Sequence, residues 1–542
     1  MKISNENVKA RGIGGFMSGV LVLSFSTVLV KIIGLAVKIP MLSILGAVGM
    51  GYFNSAVEIY SLLCTVSTAG LPVALSMLIS TRREQGDIAA VQRVYKNAKM
   101  LFLVIGVCGS GVMLIFPGEI AGLIGNSQAV PSIIAIAPAV LLICMASAVR
   151  GYFQGFENMV PTAVSQLIEA MGKLLLGVGF GYIALKMGAE LPVVAGASVL
   201  GLTLGILIST LYLSCKKIKD RRFVNVKTKN IAKGSGDIGQ LLKIALPITF
   251  SSAILSLCRI IDMALILRRL QETGMSEASA NGIYGAYTTL AVPVFALVPS
   301  LITPISLSLV PRLSSAIESG DLDGQLDVSN RAQRLTVLLS MPASMGIALY
   351  STQILSLLFS GQEGAVSVAA PLLSVLGISV LFSGMITTTN AILQSYRQTV
   401  RPIVSMAIGS AVKILAAYLL IGVPKIGVYG APISTLLCNF TVTTVNLIFL
   451  ERRIPNGSKG SGIWQLLGRP FLASVCAIFT SYSVYLVTLR ISDSQSASFL
   501  LALMVAVAAY AVFVILFRAV RSEDISEIPI LKKLVKVNNN KK

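Results

Sequence analysis

The chain has 542 residues, 55% of them apolar and only 12% charged, where soluble proteins average about 25% charged; this composition belongs to a membrane protein and not to a string of soluble domains. Histidine is absent, which excludes His-based general acid–base chemistry, Ser-His and Cys-His nucleophiles and the commonest metal ligand. The net charge of +21 would point to nucleic acid in a soluble protein, but topology accounts for it here, and no nucleic-acid partner is expected.

In chain order, Met1 to Arg11 is basic, and the apolar run behind it is too long for a signal-peptide core, so it reads as a retained first helix. Stretches able to cross a hydrocarbon core of ~30 Å fall at 14–39, 49–80, 100–118, 130–152, 161–185, 191–215, 239–267, 283–311, 335–359, 365–393, 402–422, 427–450, 466–489 and 497–518. The reading is an all-α polytopic membrane protein with 14 transmembrane helices. With the N-terminus inside, the inward segments hold 32 Lys and Arg and the outward loops six, so the positive-inside rule predicts both termini to be cytoplasmic. The outward loops are short and leave no room for an extracytoplasmic catalytic domain. The seven cysteines are scattered singly, without Cys-x-x-Cys spacing, and read as small core residues.

Two halves of the chain repeat. Gln154 to Lys173, through Pro161 and Ser165, matches Gln394 to Lys413, through Pro402 and Ser405; the Gly86-Asp87 turn matches Gly320-Asp321. Each copy holds six spans, an even number, so the copies are predicted to be parallel, as in transporters that bind substrate between repeats. The predicted organisation is an N-terminal six-helix lobe at 1–222, a basic and Gly/Ser-containing linker at 223–238, a second six-helix lobe at 239–455, an appended helix pair at 456–520 and a basic tail at 521–542.

Ionisable residues inside spans are costly, on the order of 2.5–3.5 kcal/mol each on insertion scales, and mark functional candidates. Here they are Lys31, Glu58, Glu169, Lys173, Arg259, Asp262 and Lys413, with Lys38 near the end of the first span. Lys173 and Lys413 occupy equivalent repeat positions, about 16–18 Å along the helix from Pro161 and Pro402 at 1.5 Å per residue. Glu169 with Lys173 and Arg259 with Asp262 have spacings that allow pairing along one helix, whereas Lys31 and Lys413 have no carboxylate at helical spacing. Together these groups predict a wet cavity with cations in both halves, suited to a phosphate or carboxylate head group. Gly70 and Pro72 interrupt the second span, and Pro293, Pro299 and Pro304 the eighth; Gly70, Pro72 and Pro299 are the candidate hinges. No phosphate-binding Gly-x-x-x-x-Gly-Lys-Ser/Thr motif occurs, so direct ATP use is not expected.

The run Lys31-Ile-Ile-Gly34 with Lys38, then Gly46-Ala-Val-Gly-Met-Gly51-Tyr-Phe53 and Gly70-Leu-Pro-Val-Ala-Leu-Ser76, resembles the start of the polysaccharide biosynthesis transporter family. That family includes the stage V sporulation protein B group and the lipid II flippases. Arg150-Gly-Tyr-Phe-Gln154-Gly and Pro161-Thr-Ala-Val-Ser-Gln166 are similar to its fourth-to-fifth span signature. The resemblance implies the multidrug/oligosaccharidyl-lipid/polysaccharide exporter fold, with two lobes around a central cavity and two further helices beside a lipid tail. It also implies a flippase for a polyprenyl-pyrophosphate-linked oligosaccharide such as lipid II, with Lys31 and Lys38 at the pyrophosphate. Lipid II flippases carry an arginine pair in span two where this chain has Cys64 and Thr65, which favours the sporulation-like branch. The expectation is therefore a non-enzymatic, monomeric transporter of the bacterial cytoplasmic membrane, associated with membrane lipid and without cofactor or metal, driven by the membrane potential or an ion gradient. The alternative is a multidrug efflux antiporter of the same superfamily, whose cavity would be dominated by carboxylates.

Overall fold

The structure, a computed structural model, describes residues 2–220, 236–452, 464–492 and 494–519. Among these every regular element is helical. The expected linker at 223–238 lies outside the described residues up to position 235, and the tail at 521–542 lies outside them entirely. Contacts divide the chain into two units, Met1–Thr289 and Leu290–Lys542.

The first unit contains α1 (Lys2–Thr68), α2 (Leu71–Glu84), α3 (Ile88–Ile115), α4 (Pro117–Ile124), α5 (Val130–Gly155), α6 (Val160–Gly172), α7 (Val178–Lys186), α8 (Leu191–Lys219), α9 (Gly236–Glu272) and α10 (Glu277–Ala286). The outward loop expected between the first two spans is instead a single-residue kink in α1, at Gly46, with φ 60° and ψ −178°. That corner of backbone space is open essentially to glycine alone. Helix α5 packs on α1, α2, α3 and α8, and α6 with α7 lies along α8. In lipid, such contacts are driven by packing, and small residues allow close backbone approach. A Cβ added at Gly205 would lie 2.9 Å from the Cα of Gly172, and Gly201 abuts Gly177 more closely still. The two contact glycines are five residues apart on the α6–α7 side, Gly172 and Gly177, and four apart on α8, Gly201 and Gly205. A π-turn at Lys173–Gly177 joins α6 to α7 and takes up the extra residue, which keeps both contacts in register.

The second unit holds α11 (Val292–Glu318), α12 (Leu322–Leu349), α13 (Ser351–Leu358), α14 (Glu363–Ser395), α15 (Val400–Ile421), α16 (Gly430–Glu451), α17 (Arg469–Ser492) and α18 (Gln495–Leu516). Helix α14 packs on α11, α12 and α16, α15 lies on α16, and the appended pair α17 and α18 packs together, with α17 against α12. Between α12 and α13 the chain bends by 81°. The residue at the bend, Tyr350, is buried against Tyr485 and Phe499, and its hydroxyl lies 2.9 Å from that of Ser481. One side chain thus ties the break to both appended helices.

The repeat is visible in backbone detail. The turns after α5 and α14 place non-glycine residues, Glu157 and Arg397, at φ 60° and 58°. Both turns close in the same way: Asn158 N bonds the Phe153 carbonyl and Gln398 N bonds the Leu393 carbonyl, each at 3.0 Å. Asp87 and Asp321 each cap a helix by accepting from the backbone three residues on, at 2.8 and 2.9 Å. Gly86 and Gly320, just before those caps, have φ 73° and 71°.

Among the described residues twelve helical segments are long and apolar enough to cross a membrane, or thirteen if the bent α12–α13 pair counts as one. Against the fourteen expected, one difference is that the 14–39 and 49–80 stretches run together and the other is the break between α12 and α13 within 335–359. The segment Leu29–Glu84 is 56 residues long, roughly 84 Å of helix against a ~30 Å core. In the eighth span the irregular element is a π-turn at Tyr287–Ala291, while α11 continues through Pro299 and Pro304.

Candidate functional site

The first unit holds an open cavity of about 700 Å³, within the usual range for small-molecule sites. Four helical stripes build it. From α1 come Thr27, Lys31 and Gly34 before the kink and Val57, Tyr60, Cys64 and Thr68 after it. Helix α5 gives Ile143, Ser147, Arg150 and Gln154, and the α6 span gives Thr162, Gln166, Glu169 and Lys173. Successive members stand three or four residues apart, so each stripe is one face of a helix. Pro72, at the start of α2, completes the wall. The charged lining residues are Lys31, Arg150 and Lys173 against a single carboxylate, Glu169.

Lys31 is exposed. Lys173 opens the π-turn, and its Nζ lies 5.5 Å above the ring of Phe53, a cation–π distance. Glu169 and Arg259, which the sequence places beside Lys173 and Asp262 on their own helices, form ion pairs across helices. Arg150 Nη2 donates to Glu169 Oε2 at 3.1 Å and Arg150 Nε to Ser165 Oγ at 3.0 Å. In the sequence Arg150 is one of the inward charges and opens the run similar to the fourth-to-fifth span signature, without a site role of its own. Its signal was its place in the α5 stripe, one turn before Gln154.

A second polar group lies on the other face of the kinked helix. Glu58 Oε2 is 3.4 Å from Arg259 Nε, and Arg259 Nη2 donates to Ser61 Oγ at 3.2 Å and Ser256 Oγ at 2.9 Å. Ser256 in turn donates to Thr65 Oγ1 at 3.0 Å. The stretch of α1 after Gly46 is therefore two-faced, turning Tyr60, Cys64 and Thr68 to the cavity and Glu58, Ser61 and Thr65 to α9. Asp262 is half-buried further along α9. The ion pair is half exposed, with Arg259 at 50% and Glu58 at 32%.

Lys38 is not among the residues lining the cavity. Its Nζ donates to the carbonyl of Thr288 at 2.9 Å, inside the π-turn of the eighth span. Asn54, beyond the kink, donates to the hydroxyls of Thr288 and Thr289 at 2.9 and 2.8 Å. The two arms of α1 thus hold the π-turn at the point where the chain passes from the first unit to the second. Of the candidate hinges, Gly70 packs against Ala245 and Thr249 of α9, with no space for a Cβ, and Pro72 is buried at the start of α2. Pro299 belongs to the second unit and lies within continuous helix. Lys413 is half-buried on α15 of the second unit. Among the described residues no group of three or more His, Cys, Asp or Glu has metal-binding geometry.

A family model described as polysaccharide biosynthesis protein matches residues 16–317, and a second, MatE, matches residues 247–419. Stage V sporulation protein B of Bacillus subtilis (strain 168) is 25% identical over 529 residues, covering 96% of this chain and 99% of its own. The lipid II flippase MurJ of the same organism is 25% identical over 459 residues, covering 80% and 82%. A solved structure of the lipid II flippase MurJ, in an inward closed conformation, superposes with a TM-score of 0.72 at 15% identity, covering 92% of this chain and 99% of that one. The likeness to that structure is one of fold.

Proposed function

The chain belongs to the polysaccharide biosynthesis protein family, and on that premise we propose that this multi-pass membrane protein is a flippase for a polyprenyl-pyrophosphate-linked oligosaccharide of the lipid II kind. It carries the head group from the inner to the outer leaflet by alternating access, makes no covalent bond, and works in the bacterial cytoplasmic membrane with both termini inside. The observation that carries this reading is the cavity's charge, three cations against one carboxylate, all on helices long and apolar enough to span a membrane. Such a site holds a dianionic pyrophosphate and repels the hydrophobic cations that a drug exporter takes up. The similarity of residues 247–419 to MatE is the argument for multidrug efflux, and the sign of the cavity opposes it.

Lys31 meets the pyrophosphate with Arg150 and Lys173 lining the cavity beside it, Gln154 and Gln166 supply neutral hydrogen-bonding groups, and the polyprenyl tail stays in lipid alongside α17 and α18. Lys413 is the counterpart of Lys173 in the second repeat. An inside-negative potential assists outward movement of an anion: at ~2.3 kcal/mol per charge per 100 mV, two charges gain roughly 4–5 kcal/mol.

Expression in a bacterium depleted of its own lipid II flippases tests the reading, with surface-accessible lipid II as the measurement. The wild type restores exposure, Lys31→Ala does not, and Lys186→Ala, an exposed residue outside the cavity, does. No restoration by well-expressed wild type refutes lipid II as the substrate.

A further inference from the structure

The ion pair in the cavity is held unequally. Arg150 has two anchors, the carboxylate of Glu169 and the hydroxyl of Ser165. The Ser165 hydroxyl is itself fixed, donating to the Thr162 carbonyl at 2.7 Å. The arginine side chain is 11% exposed and the glutamate 25%. The guanidinium therefore keeps its position if the carboxylate leaves, and the carboxylate is the more accessible partner. A phosphate presents the guanidinium fork with the same acceptor geometry as a carboxylate. Glu169 also has a second cation within reach, since Lys173 follows it by four residues on the same span.

We propose that Glu169 is a placeholder for the ligand's phosphate, accepting from Arg150 Nη2 until a phosphate group displaces it and then turning to Lys173. This rests on the anionic-ligand reading above and adds a selectivity device to it. After the exchange Lys31 and Arg150 face the two ligand charges, while Lys173 is neutralised by Glu169. A tethered carboxylate competes at an effective concentration of millimolar order or above, so chloride and simple carboxylates in the cytoplasm do not displace it. A pyrophosphate ester does, because it brings more charge and more acceptor oxygens. A purely structural ion pair would make a different prediction: weakening it lowers stability and leaves ligand affinity unchanged.

Calorimetric titration of geranyl pyrophosphate into the purified full chain in lipid nanodiscs separates the two. Glu169→Gln keeps a neutral acceptor for the guanidinium but removes the competing charge, so it binds at least threefold more tightly than wild type and is inhibited more strongly by chloride. Arg150→Lys keeps the charge but loses the fork, and weakens binding at least tenfold. The double variant Arg150→Met with Glu169→Gln leaves neither charge behind unpaired, folds for that reason, and shows the same loss. Unchanged or weaker binding by Glu169→Gln, or wild-type affinity in Arg150→Lys, overturns the exchange while leaving the anionic cavity standing. Wild-type protein that binds no geranyl pyrophosphate overturns the cavity reading itself, and the exchange with it.

Discussion

The contact between α6 and α8 is the point at which backbone packing sets the geometry of the cavity, and Gly205→Ala tests it. The added Cβ would lie 2.9 Å from Gly172 Cα and 3.2 Å from the Glu169 carbonyl oxygen. Carbon atoms pack best at about 3.5–4.0 Å, so α8 must retreat by roughly 0.6–1.1 Å, and every atom it meets is backbone. Overpacking of this kind costs about 1–3 kcal/mol, which outweighs the helix preference of Ala over Gly, about 0.8–1.0 kcal/mol. The retreat of α8 removes support from the α6 span that bears Glu169 and Lys173, so both stability and transport suffer. Gly179→Ala on α7 is the control, because nothing lies within 4 Å of a Cβ there; it is neutral or stabilising. The assay is thermal unfolding of the purified protein together with surface lipid II in cells. At about 2–4 °C per kcal/mol for units of 150–250 residues, the first variant melts several degrees lower and loses exposure of lipid II. Equal melting and full transport by Gly205→Ala would refute the claim that this close approach positions the site.

Gly46→Ala introduces no clash, since nothing lies within 4 Å of a Cβ there, yet it is destabilised by about 1–3 kcal/mol because φ 60° with ψ −178° excludes a side chain. A lowered unfolding midpoint checks this, and an unchanged one would show that α1 bends by another route. Asn54→Ala removes two hydrogen bonds to the π-turn, at about 0.5–1.5 kcal/mol each; hydrogen exchange at residues 287–291 increases, whereas unchanged protection would mean that Lys38 alone holds the turn. Tyr350→Phe keeps the aromatic cluster but loses the bond to Ser481, and lowers stability by about 1 kcal/mol with transport retained.

The sequence by itself determined what depends on local chemistry. Hydropathy identified the crossing segments because lipid admits only helices whose backbone groups are satisfied internally. The repeat was legible because a Gly-Asp cap and the Gln154 and Gln394 turns are written in a few adjacent residues, and the structure reproduces their backbone angles. The ionisable residues stood out because each is costly in a span. Only the tertiary structure decided what those residues meet. Glu58 and Arg259 pair across about 200 positions of sequence, Lys38 reaches a carbonyl 250 residues away, and Arg150, which looked like an orientation signal, faces the cavity beside Glu169. The kink at Gly46 and the π-turn at Lys173 likewise have no local signature. A glycine permits a left-handed corner without requiring it, and a π-turn forms where two packed helices must stay in register. Sequence spacing fixes the face of a helix on which a charge sits; which helix lies opposite depends on packing over the whole unit.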